Sequence, residues 1–139
     1  MPGASEFTTR PELAGTFGMV ASTHWLASAA GQAVLEKGGN AFDAAAAAAG
    51  LVLQVVEPHL SGPGGEVPII GFDARRGGTF VIDGQGPAPV AAAPGAFAAF
   101  GVPMIPGNGL LAACVPGAFG AWLLLLRQHG TARLRDVLS

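Results

Sequence analysis

A single cysteine, Cys114, stands in the 139-residue chain. That excludes an intrachain disulfide and any cysteine-rich metal site. Charge is scarce as well: 12% of residues are charged and the net charge is −2. A small free-standing domain usually needs about a quarter to a third. One lysine and six scattered arginines make no basic stripe, so nucleic acid is not an expected partner. No long hydrophobic run is present either. The most apolar stretch, Ala44 to Val56, is broken by Gln54 and bounded by Asp43 and Glu57. It is too short for the roughly 20 residues of a membrane span. Residues 1–10 have no apolar core of signal-peptide length, which makes cytoplasmic residence the default expectation.

Small and apolar residues fill the sequence instead. Half of it is hydrophobic, with 22 glycines and 11 prolines. That composition excludes disorder, which needs low hydrophobicity and high charge. It implies tight turns, close-packed elements and faces meant to be covered. The lone Cys114, amid Leu110-Leu-Ala-Ala and Val115, is expected to be a buried small hydrophobe.

Along the chain, residues 1–17 form an expected irregular arm and residues 18–139 one partial domain. Gly18–Ser22 suits a strand. Trp25–Lys37 carries a helical period with Leu26, Ala30 and Val34 on one face, and Gly38-Gly39 ends it. Asn40 is a good N-cap for a second helix from Ala41 to about Val56, with Asp43 in its first turn and Pro58 at its end. That helix is apolar all round and is expected to be buried on most sides. Beyond the Ser61-Gly-Pro-Gly-Gly65 turn, Val67–Phe72 and Thr79–Ile82 flank Asp73–Gly78 as a hairpin. Pro68 marks an edge or bulge in it. Arg75-Arg76 reads as solvent-exposed turn charge. Gly84–Pro94 is loop, Ala96–Phe100 a helical turn, and Gly101–Gly109 loop again. A last long helix opens at Pro116 and runs to His129, with Gly130 past its end. Thr131 is placed to cap a short helix over Ala132–Leu138.

Little here could carry chemistry alone. His24, His59 and His129 have no metal-ligand spacing, and each reads as structural. The glycine turn at 61–65 lacks the Gly-Lys-Ser/Thr ending of a phosphate loop, and Gly84-Gln-Gly86 is too short for a dinucleotide site. No serine sits in a nucleophile elbow.

Several short stretches nevertheless occur in one order. They are Gly18-Met-Val-Ala-Ser-Thr-His24, Gly38-Gly-Asn-Ala-Phe-Asp-Ala-Ala45, Val55-Val-Glu-Pro-His59 followed by Ser61-Gly, Val115-Pro-Gly117, and Gln128-His-Gly130-Thr131. Together they resemble the opening of gamma-glutamyltranspeptidases over roughly residues 8–139. The resemblance implies an α/β fold, part of a four-layer αββα N-terminal-nucleophile hydrolase sandwich that is incomplete in this chain. It implies a precursor that cuts itself into a large and a small subunit. The new N-terminal threonine of the small subunit would attack an amide carbonyl, its own α-amino group taking the proton. That nucleophile would lie beyond residue 139, so no residue of this chain is assigned as catalytic. No metal ligand is assigned, and no metal or organic cofactor is implied. The implied partners are the rest of the large subunit, the small subunit, and a small amide or gamma-glutamyl substrate.

Two positions depart from the family pattern. A four-glycine run is replaced by Gly64-Gly65-Glu66-Val67-Pro68. Gln85 stands where the family carries an arginine for the substrate α-carboxylate, and it is the one expected substrate-binding residue. A neutral amide cannot supply the charge-assisted bidentate pair that arginine makes. Pro58-His-Leu-Ser-Gly-Pro-Gly-Gly65, Ile105-Pro-Gly107 and Leu110-Leu-Ala-Ala113 are similar to the oxamate amidohydrolase-like branch. The contrasting expectation is a non-catalytic assembly or interaction module.

Overall fold

The computed structural model describes residues 12–60, 62–93 and 95–138. Residues 1–11 of the expected arm, and Ser61, Pro94 and Ser139, lie outside the described residues; residues 12–17 carry no regular structure.

Helix α1 spans Trp25–Glu36 and is opened by His24, whose side chain accepts from the Leu26 N–H. Its buried face is Ala27 and Gly31, while Leu26 is 40% exposed. The expected Leu26–Ala30–Val34 face is thus displaced by one position, because backbone contact decides the packing. A Cβ on Gly31 would stand 3.1 Å from Ala48 Cβ and 3.2 Å from the Ala44 carbonyl. Small residues on both sides let α1 lie almost directly against the next helix.

That next helix begins with a reciprocal cap. Asn40 Oδ1 accepts from the N–H groups of Phe42 and Asp43, and Asp43 Oδ2 accepts from the N–H of Asn40. Its first part is α2, Ala41–Ala45. It continues through a π-helical stretch, Ala46–Val52, into α3, Leu53–Val56. The single α-helix expected here therefore contains a wide central turn. Burial is concentrated at residues 43–44, 46–48 and Gly50, whereas Val55 is 79% exposed.

Strands β1 (Val67–Asp73) and β2 (Gly78–Gly84) form the expected antiparallel hairpin. Gly77, at φ 65°, takes the left-handed position its turn requires. Val67, Ile69, Gly71 and Asp73 face inward with Phe80, Ile82 and Gly84; Ile70, Phe72 and Val81 face out. Gly71 lies opposite Phe80, and the bare glycine lets the phenyl ring cross the strand. Pro68 sits on this two-stranded sheet's outward face, consistent with an edge.

Short 3-10 turns at Phe97–Phe100 and Leu110–Ala112 interrupt the long loop before α4, Ala118–His129. Helix α4 lies between two small cores. Ile82, Ala121 and Leu125 join it to the hairpin, with Phe42, Phe80 and Trp122 around them. Ala46, Ala47, Leu126 and Val137 join it to the π-helical stretch and to α5, Leu134–Val137.

Three expectations are corrected. Gly18–Ser22 is not a strand: its backbone has no ladder partner, and Val20 packs on α1 beside Gly31 instead. Cys114 is exposed, because the segment around it runs over the surface with Leu110 95% and Val115 44% exposed. Thr131 does not cap α5; Arg133 and Asp136 form that cap, and Thr131 is drawn to Asp43.

Candidate functional site

At the open end of the hairpin, three of the sequence motifs converge. The Gly65 carbonyl accepts the N–H groups of Gly117 (3.2 Å) and Ala118 (3.0 Å), joining the glycine turn to the start of α4. The Val115 N–H donates to the Pro87 carbonyl at 3.0 Å. A Cβ on Gly86 would overlap the Val115 carbonyl oxygen, and one on Gly117 would overlap the Gly84 carbonyl. Glycine is required at these positions because backbone touches backbone. The turn at 62–65, the loop 84–87 and the turn 115–117 are therefore one packed unit.

Gln85 projects from this unit. It follows the last residue of β2 and is exposed; its N–H donates to Asp83 Oδ1 at 3.0 Å, which turns the chain away from the ladder. Glu66 precedes the first residue of β1. Val67–Gly84 is the last pair of the ladder, and Glu66 and Gln85 each lie one residue beyond it. Glu66 also lines a cavity of about 270 Å³ walled by Leu53, Leu60, Val67 and Trp122, with Gln54 as its other polar side chain.

A second polar group closes the far end of the hairpin. His129 is 4% exposed, and its Nδ1 lies 2.9 Å from Asp73 Oδ2. The imidazole stacks on Phe80 with centroids 3.8 Å apart and planes 10° from parallel. Its backbone carbonyl accepts from Asn40 Nδ2 (2.7 Å) and Arg75 Nη2 (3.2 Å), and the Gln128 carbonyl accepts from Arg76 Nη2 (2.8 Å). The hydrogen bond from His129 lowers the Asp73 carboxyl below the usual carboxylate range, with help from Arg75 and Arg76 and against burial.

Asp43, fully buried, is the hub behind it. It accepts from Thr131 Oγ1 (2.7 Å) and from the N–H groups of Asn40, Thr131 and Ala132. Burial pushes this carboxyl up, but the bonds from Thr131, Asn40 and Ala132 outweigh it and hold it low. These groups clamp the C-terminal end of α4, where four carbonyls lack helical partners. All their bonds are internal, so their chemistry is that of a structural joint.

The sequence signals account for these sites unequally. Gln85 and Glu66 stand out as departures from a family pattern, although their shared place at the end of the hairpin follows only from strand register. Asp73 as partner of His129 is missed by sequence reasoning, since 56 residues separate them and neither sits in a motif with the other. His24 caps α1 and His59 lies in an exposed turn, and no contact joins either to Gln85. Among the described residues, no three His, Cys, Asp or Glu side chains are grouped to hold a metal ion, and no helix is long and apolar enough to cross a membrane.

The sequence profile of the gamma-glutamyltranspeptidase family matches residues 27–139. A relative named glutathione hydrolase-like YwrD proenzyme, from Bacillus subtilis, is 39% identical over 90% of this chain and 23% of its own length. The gamma-glutamyltranspeptidase of Helicobacter pylori superposes with a TM-score of 0.82 at 37% identity, over 92% of this chain and 37% of that one. The structure of LmbA2991HD gives a TM-score of 0.86 at 58% identity, over 94% and 22% respectively. Relatives named as an acylase and an oxamate amidohydrolase, both proenzymes, match as well. The chain spans about a quarter of the length of the first of these curated relatives.

Proposed function

The chain belongs to the gamma-glutamyltranspeptidase family, and we propose that it is the N-terminal segment of the large subunit of a self-processing amide hydrolase. In this reading the hairpin is part of one sheet of a four-layer αββα sandwich. Its outward Ile70, Phe72 and Val81, all more than 60% exposed, are the surface that the rest of the precursor covers. The nucleophile is an N-terminal threonine supplied from beyond residue 139. Its hydroxyl attacks the amide carbonyl while the α-amino group accepts the proton. No step uses a side chain of this segment as acid or base.

What this segment supplies is a wall of the substrate pocket. The observation that carries the proposal is the packed unit of residues 62–65, 84–87 and 115–117, which holds Gln85 exposed at the end of β2. Gln85 presents an amide, able to donate and accept hydrogen bonds but carrying no charge. A substrate carboxylate therefore gains less here than from arginine. The expected substrates are small amides, with little preference for a gamma-glutamyl donor. The proenzyme names of the relatives favour this enzyme reading over a non-catalytic interaction module.

The test is hydrolysis by the protein expressed from its complete reading frame. Release of ammonia or amine from small amides, at rates equal to or above those on gamma-glutamyl anilide, is the expected result. A marked preference for the gamma-glutamyl donor would overturn the assignment of Gln85. Absence of any amide cleavage by a fully processed protein would overturn the function itself.

A further inference from the structure

We infer that Glu66 makes this pocket selective for amides whose acyl part carries a positively charged group. The inference rests on the proposal that Gln85 faces the substrate. Its basis is the placement of charge along the hairpin. Glu66 and Gln85 flank the last pair of the ladder, Val67–Gly84, one on each strand. A substrate lying across this end of the hairpin can meet both residues.

The Glu66 carboxylate has no partner among the described residues. It is exposed, lines the 270 Å³ cavity, and makes no hydrogen bond or ion pair with any described residue. Two other carboxylates are engaged: Asp83 Oδ1 takes the Gln85 N–H, and Glu57 accepts from Thr23 Oγ1. The cavity walls are Leu53, Leu60, Val67 and Trp122, which desolvate a bound chain and strengthen a charge interaction at its mouth.

No cation from the described segment can neutralise Glu66. Arg75 and Arg76 are at the hairpin tip, about 20 Å away along a seven-residue strand. Arg127 lies in the last turn of α4, whose first turn meets Gly65. Lys37 follows α1 beside Gly39 and Asn40, and Arg133 and Arg135 belong to α5; both groups sit at the His129 end, through Asn40 and Thr131. Among the described residues charge is thus polarised, with the cations gathered at one end and the Glu66 carboxylate at the other. An ammonium group would pair with Glu66 while Gln85 hydrogen-bonds a neighbouring polar atom. A carboxylate would meet repulsion.

The experiment uses the complete, processed enzyme and three p-nitroanilides of matched length: γ-aminobutyryl (cationic), valeryl (neutral) and glutaryl (anionic). The expected order of kcat/KM is γ-aminobutyryl, then valeryl, then glutaryl. The cationic advantage should be about tenfold or more, and it should shrink with added salt. Glu66→Gln should bring the γ-aminobutyryl to valeryl ratio towards one and raise the glutaryl to valeryl ratio. A processed Glu66→Gln enzyme with unchanged ratios overturns the inference. If that variant does not process, Glu66→Gly serves in its place. Should neither mature, the wild-type order decides, and glutaryl equal to or above γ-aminobutyryl overturns it. Wild-type cleavage of valeryl without cationic preference refutes the role of Glu66 alone, whereas a processed enzyme that cleaves none of the three refutes the amidase reading.

Discussion

Asp43 Oδ2 accepts a hydrogen bond from Thr131 Oγ1 at 2.7 Å although 88 residues separate the two. The same carboxylate starts α2 through the Asn40 N–H and holds the turn after α4 through the Thr131 and Ala132 N–H groups. One side chain thus ties the beginning of one helix to the end of another. Asp43→Ala would strand these donors in a buried place and remove half of the cap. A loss of about 2–4 kcal/mol is expected. Urea unfolding of the uncut precursor measures it, and a loss under about 1 kcal/mol would contradict the role.

Acid should loosen the same joint. Asp43 and Asp73 are both held below the ordinary carboxylate value of 3.8 in the folded chain. A depressed folded value means the unfolded chain binds protons first, so folding is favoured most when both carboxylates are ionised. Their contribution is complete above the ordinary value and disappears as pH falls through the lowered ones. Melting temperature should therefore drop below about pH 4, and Asp43→Asn should flatten that dependence. An Asp43→Asn variant with the same acid slope as the parent would remove Asp43 from the account.

The loop junction makes a sharper contrast. Gly86→Ala puts a methyl group into the Val115 carbonyl, where backbone cannot give way, whereas Gly107 has nothing within 4 Å of an added Cβ. Gly86→Ala is expected to prevent maturation of the precursor, and Gly107→Ala to leave it intact. Gel analysis of the two variants side by side distinguishes them. Equal maturation would mean that the packing of 84–87 on 115–117 is not required.

Local signals are legible in the sequence to the extent that they act locally. Asn40 and Asp43 announce a helix start, Pro58 its stop, and the Asp73–Gly78 turn a hairpin, because caps and turns are formed by adjacent residues. Gly18–Ser22 has the composition of a strand but forms none, because a short apolar run needs a partner, and partnership is not local. The π-helical turn at Ala46–Val52 is invisible, since an alanine run fits any helical pitch. The apolar neighbours of Cys114 point to the interior, yet that whole segment lies on the surface. Among the site residues, Gln85 and Glu66 both stand out as departures from the resemblance, but their shared place at the end of the hairpin emerges only from the register of β1 against β2. The Asp73–His129 pair needs the fold itself.

Replacing Gln85 addresses the pocket assignment. Gln85→Arg adds a fixed positive charge at an exposed position just past β2. Activity on gamma-glutamyl anilide should rise relative to small neutral amides by roughly tenfold, the worth of a charge-assisted bond to a carboxylate. A normally processed variant with unchanged substrate ranking would place Gln85 outside the pocket.

Intact mass and N-terminal sequencing of the protein purified from its complete reading frame test the central claim most directly. The account predicts two fragments, the larger containing residues 27–139 and the smaller beginning with threonine, with amide hydrolysis lost when that threonine becomes alanine. A single uncut chain that hydrolyses amides, or a cut chain whose new terminus is not the nucleophile, would contradict it.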